Sequence, residues 1–197
     1  MKNFWDQRYA EITYAYGKEP NVFFRQELDK MPAGCILLPA EGEGRNAVYA
    51  ASQGWQVDAF DYSVSGQKKA NQLAHEKNVS LNYLLSDIYT FDWPRDTYDA
   101  VGLFFVHLLP EARLFLHQKV METLKPGGTL LLQGFSKEQL PLSTGGPKNP
   151  DMLFSTTLLE KDFLAYSLQL LVQESVILTE GPYHNGKAEV VKMVLKK

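Results

Sequence analysis

A chain of 197 residues, 45% hydrophobic and 22% charged, is long enough for one domain with a real core. A net charge of −3 with no basic stripe argues against a nucleic-acid partner, and the lone Cys35 excludes an internal disulfide. The opening "MKNFWDQRYAEI" has no apolar h-region, and no apolar run approaches the roughly 20 residues of a bilayer span, so a cytoplasmic chain without a membrane segment is expected.

In chain order, "GCILL" (34–38) reads as a buried strand and 45–53 as a helix ending near Gly54. "WQVDAFD" (55–61) alternates as a second strand, and 63–78 opens on Ser63 with helical spacing. "LNYLLSD" (81–87) and "YDAVGLFF" (98–105) are strands three and four. "PEARLFLHQKVMETL" (110–124) predicts a helix with proline in its first turn, stopped by "KPGG", and "TLLLQGF" (129–135) a fifth strand. Strands alternating with helices of this length imply a parallel sheet covered on both faces.

Beyond residue 136 the pattern changes. "SKEQLPLSTGGPKNPD" reads as a long loop, of the kind often functional inside a compact domain. Thr157 and Glu160 stand at capping-box spacing, predicting a helix over 157–168. Two β-rich segments, "QLLVQESVILTE" and "KAEVVKMVLKK", flank "GPYHNG" and predict an antiparallel hairpin. No repeat or linker divides the chain, so a single domain over 1–197 is expected.

The chemistry concentrates in "ILLPAEGEGRNAVYAA" (36–51). Gly42, Gly44 and Ala47 fit G-x-G-x-x-[GA], and Asp61 follows Gly42 by 19 residues at the end of the second strand. A pyrophosphate would sit on the helix N-terminus. Here Glu41 and Glu43 flank that place, and like charges disfavour one another. A ligand carrying an ammonium and a sulfonium suits the loop better, and S-adenosylmethionine has both, with a ribose for Asp61.

With these residues in view the chain resembles the class I S-adenosylmethionine-dependent methyltransferases. "AEGEGRNAVY", "DYS", "LLSDI", "YDAV" and "LKPGGTLLL" stand in that superfamily's order and spacing. "FWDQRYAE…YAYGKEPN", "TGGPKNPDMLF" and "EGPYHNGKAEVV" look like its TehB-like, tellurite-resistance-type branch. The resemblance implies a Rossmann-like, doubly wound α/β fold. Its seven-stranded sheet would be mostly parallel, with an antiparallel C-terminal hairpin. It implies S-adenosylmethionine as cofactor, S-adenosylhomocysteine as product and a small-molecule methyl acceptor, whether a thiol, a chalcogen oxyanion or another metabolite.

It also implies roles. Ala40, Glu41, Gly42, Gly44, Arg45 and Asn46 would wrap the methionine part of the cofactor. Asp61, with Tyr62 and Ser63, would hold ribose and adenine, and Asp87 and Ile88 the adenine. Phe105, Val106 and His107 would line the methyl-transfer site. An N-terminal segment (1–30) with Arg8, Tyr14 and Tyr16 would form a lid, and loop 136–156 the substrate-side wall. Two departures stand out: the superfamily's usual first-strand acid falls at Leu38, and its first glycine at Ala40.

Methyl transfer needs the nucleophile and methyl held in line, and a base only where the nucleophile must lose a proton. His184, expected in the hairpin turn, and His107 are the candidates for that role. His75 and His117 fall within helix patterns and read as surface or packing residues. No His or Cys pair has metal-ligand spacing, so no metal is expected. The rivals are an NAD-dependent oxidoreductase, sharing Gly42, Gly44 and Asp61, and a protein that binds S-adenosylmethionine without turnover.

Overall fold

The computed structural model describes residues 2–197, with side chains from Phe4 onward. Residue 1 of the expected lid lies outside the described residues. The chain forms two compact units, one running to Asp92 and taking in Glu180–Pro182, the other holding the remainder.

The first unit carries α1 (Lys2–Tyr9), α2 (Val22–Leu28), β1 (Cys35–Pro39), α3 (Arg45–Ser52), β2 (Gln56–Asp61), α4 (Val64–Glu76) and β3 (Asn82–Leu85). Its strands run parallel in the order β3-β2-β1. Ile36, Leu37 and Leu38 are fully buried, as a strand covered on both faces requires. The Ser63 side chain caps α4 by accepting from the Gly66 N–H. Gly44 must be glycine: its φ is +84°, and a Cβ there would lie 2.5 Å from that of Ala70 on α4.

The second unit carries β4 (Tyr98–Phe104), α5 (Pro110–Thr123), β5 (Leu124–Phe135), α6 (Thr156–Asp162), β6 (Ser167–Glu180, apart from its last residue) and β7 (His184–Lys196). The order is β4-β5-β7-β6, with β4 parallel to β5 and β5 antiparallel to β7. The seven-stranded, mostly parallel sheet with an antiparallel C-terminal hairpin is thus the fold expected from the sequence.

Two boundaries differ from expectation. Ser155, not Thr157, caps α6, and the helix stops at Asp162. Phe163, just past the helix, is buried, but the apolar spacing beyond it meets no surface: Leu164 is 86% exposed, and β6 takes up the chain at Ser167. The hairpin turn is shorter than read, so His184 is the first residue of β7 instead of a turn residue.

Of the two readings offered for His117, surface or packing, the structure bears out packing. His117 is buried on α5, where its Nδ1 lies 3.0 Å from Asp162 Oδ2, which also accepts from Arg113 Nε at 2.8 Å. Burial pushes the His117 pKa down. Burial acts to raise that of Asp162, but its hydrogen bonds to His117 and Arg113 outweigh this and hold it low. Asp162→Ala strands a buried guanidinium and should lower stability by about 3–5 kcal/mol in urea unfolding, whereas a loss under about 1 kcal/mol would mean the pair is worth no more than a surface one.

Candidate functional site

The loop after β1 turns on Ala40, a non-glycine residue at φ +52°. That conformation costs on the order of 1–3 kcal/mol where no glycine relieves it. The turn brings Glu41 back over the start of α3, where its Oε1 accepts from the Asn46 and Ala47 N–H groups, both at 2.8 Å. The helix N-terminus therefore carries a carboxyl group supplied by the chain itself, whose charged form the two N–H groups favour. Burial raises the Glu41 carboxyl to about 7, against those N–H groups and Arg45, which pull it down.

Gly42 is held from both sides. Its N–H donates to Asp61 Oδ2 at 3.2 Å, and its carbonyl accepts from the Tyr83 hydroxyl at 2.6 Å. Asp61 Oδ1 accepts from the Ser63 N–H. Burial lifts the Asp61 carboxyl to about 6, although these donors favour its charge. Each carboxylate oxygen retains acceptor capacity beyond its one backbone partner, which suits the hydroxyls of a ribose. Asp87 uses Oδ1 on the Tyr89 and Thr90 N–H groups, beside the buried Ile88. Tyr62, half-buried, follows Asp61.

Four residues expected on the cofactor also carry internal contacts. Gly44 meets α4, as described. Arg45 donates to the Tyr16 carbonyl and to Glu180, each at 3.0 Å. Asn46 accepts from the Asn21 N–H, and Asn21 donates to Glu180. Ser63, wholly buried, donates to Asp6 on α1. Glu43 is likewise turned away from the loop, accepting from the Ala15 N–H and Lys69, both at 2.7 Å. These bonds pin the N-terminal segment onto α3 and α4. Tyr14 joins them by donating to the Lys69 carbonyl, and Arg8 hydrogen-bonds Tyr16 while lying 4.8 Å over the Phe4 ring.

In the second unit, Phe105 follows β4 at φ +56°, a strained backbone for an aromatic residue. Its ring lies 4.5 Å from the His184 ring and 4.7 Å from that of Phe135. His184 is 4% exposed and has Gly145 against it, where a Cβ would come within 2.9 Å of its Cδ2. The loop over 136–156 thus lies flush on His184 and Phe135. Buried Gln139 anchors the loop, donating to Thr144 and the Gly145 carbonyl and accepting from the Glu189 N–H.

His107 is not available as a base. Its Nε2 accepts from the Phe135 N–H at 3.0 Å, so the proton resides on Nδ1, which lies 2.8 Å from the Met152 carbonyl. Both nitrogens are spent latching the loop to β5. Glu180, Asn21, Gln139 and Tyr9 are site-shaping residues that the sequence reading missed. Only Asn21, a cap residue before an apolar run, left a local signal. Among the described residues no group of three His, Cys, Asp or Glu could hold a metal, and no helix is long and apolar enough to cross a membrane.

Burial lowers the His107 pKa to about 4. The unfolded ring takes its proton first, so this stability is complete above about pH 6.5 and lost as pH falls towards 4, a drop of about 3 kcal/mol. His107→Gln should abolish that share of the acid loss in unfolding titrations at pH 7 and pH 4. An unchanged difference between the two pH values would refute the latch.

Comparison with known proteins agrees with this architecture. Residues 36–128 match the family described as "Methyltransferase domain". Thiocyanate methyltransferase 1 of Arabidopsis thaliana is 28% identical over 131 residues, 64% of this chain and 54% of the relative. The chain thus spans about half the length of the curated relative it matches. Among solved structures, one concerns conversion of a disulfide bond into a thioacetal group during echinomycin biosynthesis. It superposes with a TM-score of 0.79 at 15% identity, over 100% of this chain and 92% of its own. TehB from Haemophilus influenzae gives 0.73 at 15% identity, over 100% of this chain and 66% of its own. At such identities the structures speak for the fold alone. Residues 36–128, with their glycine loop and the acids that follow it, are similar to a methyltransferase domain.

Proposed function

We propose that the chain binds S-adenosylmethionine and transfers its methyl group to a small, soft acceptor, with a thiol as the best representative. One observation carries the cofactor class: the Glu41 carboxylate already occupies the N–H groups of α3 that a dinucleotide pyrophosphate would need. The remaining groups are acceptors, Asp61 and Asp87, while the neighbouring cations Arg45 and Lys69 are neutralised by Glu180 and Glu43. Such a site fits a ligand rich in donors and positive charge. When bound, S-adenosylmethionine supplies a methyl carbon activated by the adjoining sulfonium. Asp61 would hold the ribose hydroxyls, Asp87 and Ile88 the adenine, and the loop of Ala40–Asn46 the methionine portion.

The acceptor class follows from charge. Both arginines of the second unit are already paired, Arg113 with Asp162 and Arg95 with Glu122, and the surroundings of His184 are aromatic. A tellurite- or selenite-like oxyanion would lose its hydration there without a guanidinium to replace it. This chain therefore departs from an oxyanion-methylating reading of the TehB-like branch. A thiol would lose its S–H proton as the new S–C bond forms, and His184 would receive that proton. The name of the thiocyanate methyltransferase relative fits a sulfur acceptor.

Calorimetric titration with S-adenosylmethionine, S-adenosylhomocysteine, NAD and NADP tests the cofactor directly. Micromolar affinity for the adenosyl pair alone is expected; binding of NAD alone would hand the chain to the oxidoreductase reading. Asp61→Ala should cost about 1.5–3 kcal/mol of adenosyl binding. His184→Ala should retain that binding and lose turnover, and full turnover would remove it from the mechanism.

A further inference from the structure

Tyr9 closes α1, with its ring set between two glycines. A Cβ on Gly42 would lie 2.6 Å from the Tyr9 hydroxyl, and one on Gly66 would lie 3.1 Å from its Cδ2. Trp5 stacks on the other side at 5.6 Å between ring centroids. The residue is only 6% exposed, yet among the described residues its hydroxyl makes no hydrogen bond. Among the described residues the wholly buried side-chain atoms without a partner are Gln133 Oε1 and Ser136 Oγ, so the Tyr9 oxygen is the part of the side chain that keeps an opening, beside the Gly42 turn.

What surrounds the hydroxyl indicates the kind of ligand group that this opening would receive. Asp61, Tyr16, Glu43 and Tyr62 are the ionisable groups that act on it, and each is an acid. The nearby cations are otherwise engaged: Arg45 with the Tyr16 carbonyl and Glu180, Lys69 with Glu43 and the Thr13 carbonyl, and Arg8 with Tyr16. Gly42, directly beneath, is the residue that Asp61 and Tyr83 hold rigid. An unbonded oxygen among acids, over a fixed glycine turn, is suited to receive a cationic group.

We propose that Tyr9 is a cofactor-contacting residue whose hydroxyl oxygen faces the positively charged methionine portion of the methyl donor. The assignment rests on the cofactor reading above. It makes the N-terminal helix a selective wall as well as a cover, because a phenol oxygen beside carboxylates favours a charged ligand over a neutral nucleoside.

The test is calorimetric titration of the wild type and Tyr9→Phe, with thermal melts as control. The ligands are S-adenosylmethionine, S-adenosylhomocysteine and 5′-methylthioadenosine, which keeps the adenosyl group but lacks the charged amino-acid portion. Phenylalanine preserves the ring between Gly42 and Gly66, so the melting temperature should not move. S-adenosylmethionine should weaken by about tenfold while 5′-methylthioadenosine binds as before. S-adenosylhomocysteine retains the ammonium but not the sulfonium, so its loss or retention reports which charge the hydroxyl reads. An equal loss for S-adenosylmethionine and 5′-methylthioadenosine, or none for either, overturns the Tyr9 assignment and leaves the cofactor reading standing. If the wild type binds none of the three, the cofactor reading fails and the assignment falls with it.

Discussion

The Glu41 carboxyl group at the start of α3 sets the character of the whole glycine loop. A helix N-terminus between a strand and a glycine turn attracts phosphate by default, because its N–H groups point outward unpaired. Here a side chain five and six residues upstream takes two of them at 2.8 Å. On the reading proposed above, the backbone geometry that would otherwise suit a pyrophosphate is thereby turned towards a ligand of the opposite charge. Asp61 at the end of β2 reinforces this, held by the Gly42 and Ser63 N–H groups and kept largely out of water.

Around that loop the chain spends its charged residues on itself. Glu43 with Lys69, and Arg45 with Glu180, are buried pairs satisfied by further backbone bonds, and both tie the N-terminal segment to α3 or α4. Such pairs add little net stability, because desolvation opposes their attraction, but breaking one leaves a costly orphan charge. Their effect is geometric: they fix where the aromatic residues Tyr9, Tyr14 and Tyr16 can lie. In the second unit His107 does the corresponding work with a neutral ring, holding the Met152 end of the loop while Gln139 holds the other end. Its locked tautomer is what leaves His184 as the remaining candidate to take a proton.

The strand and helix order was legible because each strand is a short apolar run and each helix has a periodic face. Asp61 could be placed because its spacing from Gly42 is a local property of the βαβ unit. What the sequence hid was partnership at a distance. Arg45 and Glu180 stand 135 residues apart, Glu43 and Ala15 28 apart, and nothing in either segment announces the other. Gly44 looked like a ligand glycine because a close helix crossing and a close ligand require the same missing Cβ. His107 looked like a base because its two backbone partners, Phe135 and Met152, come from chain that reads as strand and loop. Where α6 ends was likewise undecidable from periodicity, since exposed Leu164 continues the apolar spacing without a surface to meet.

On the proposed function, a chain with its own carboxyl group at the helix N-terminus carries a methyl group from a cationic donor to a soft sulfur atom. Incubating the protein with S-adenosylmethionine bearing an isotopically labelled methyl, together with a small aromatic thiol, measures this most directly. The account predicts label in the methyl thioether, at a rate that requires the protein and vanishes when selenite replaces the thiol. Donor binding with the label never leaving it for any thiol, or transfer to selenite in preference, would contradict the account.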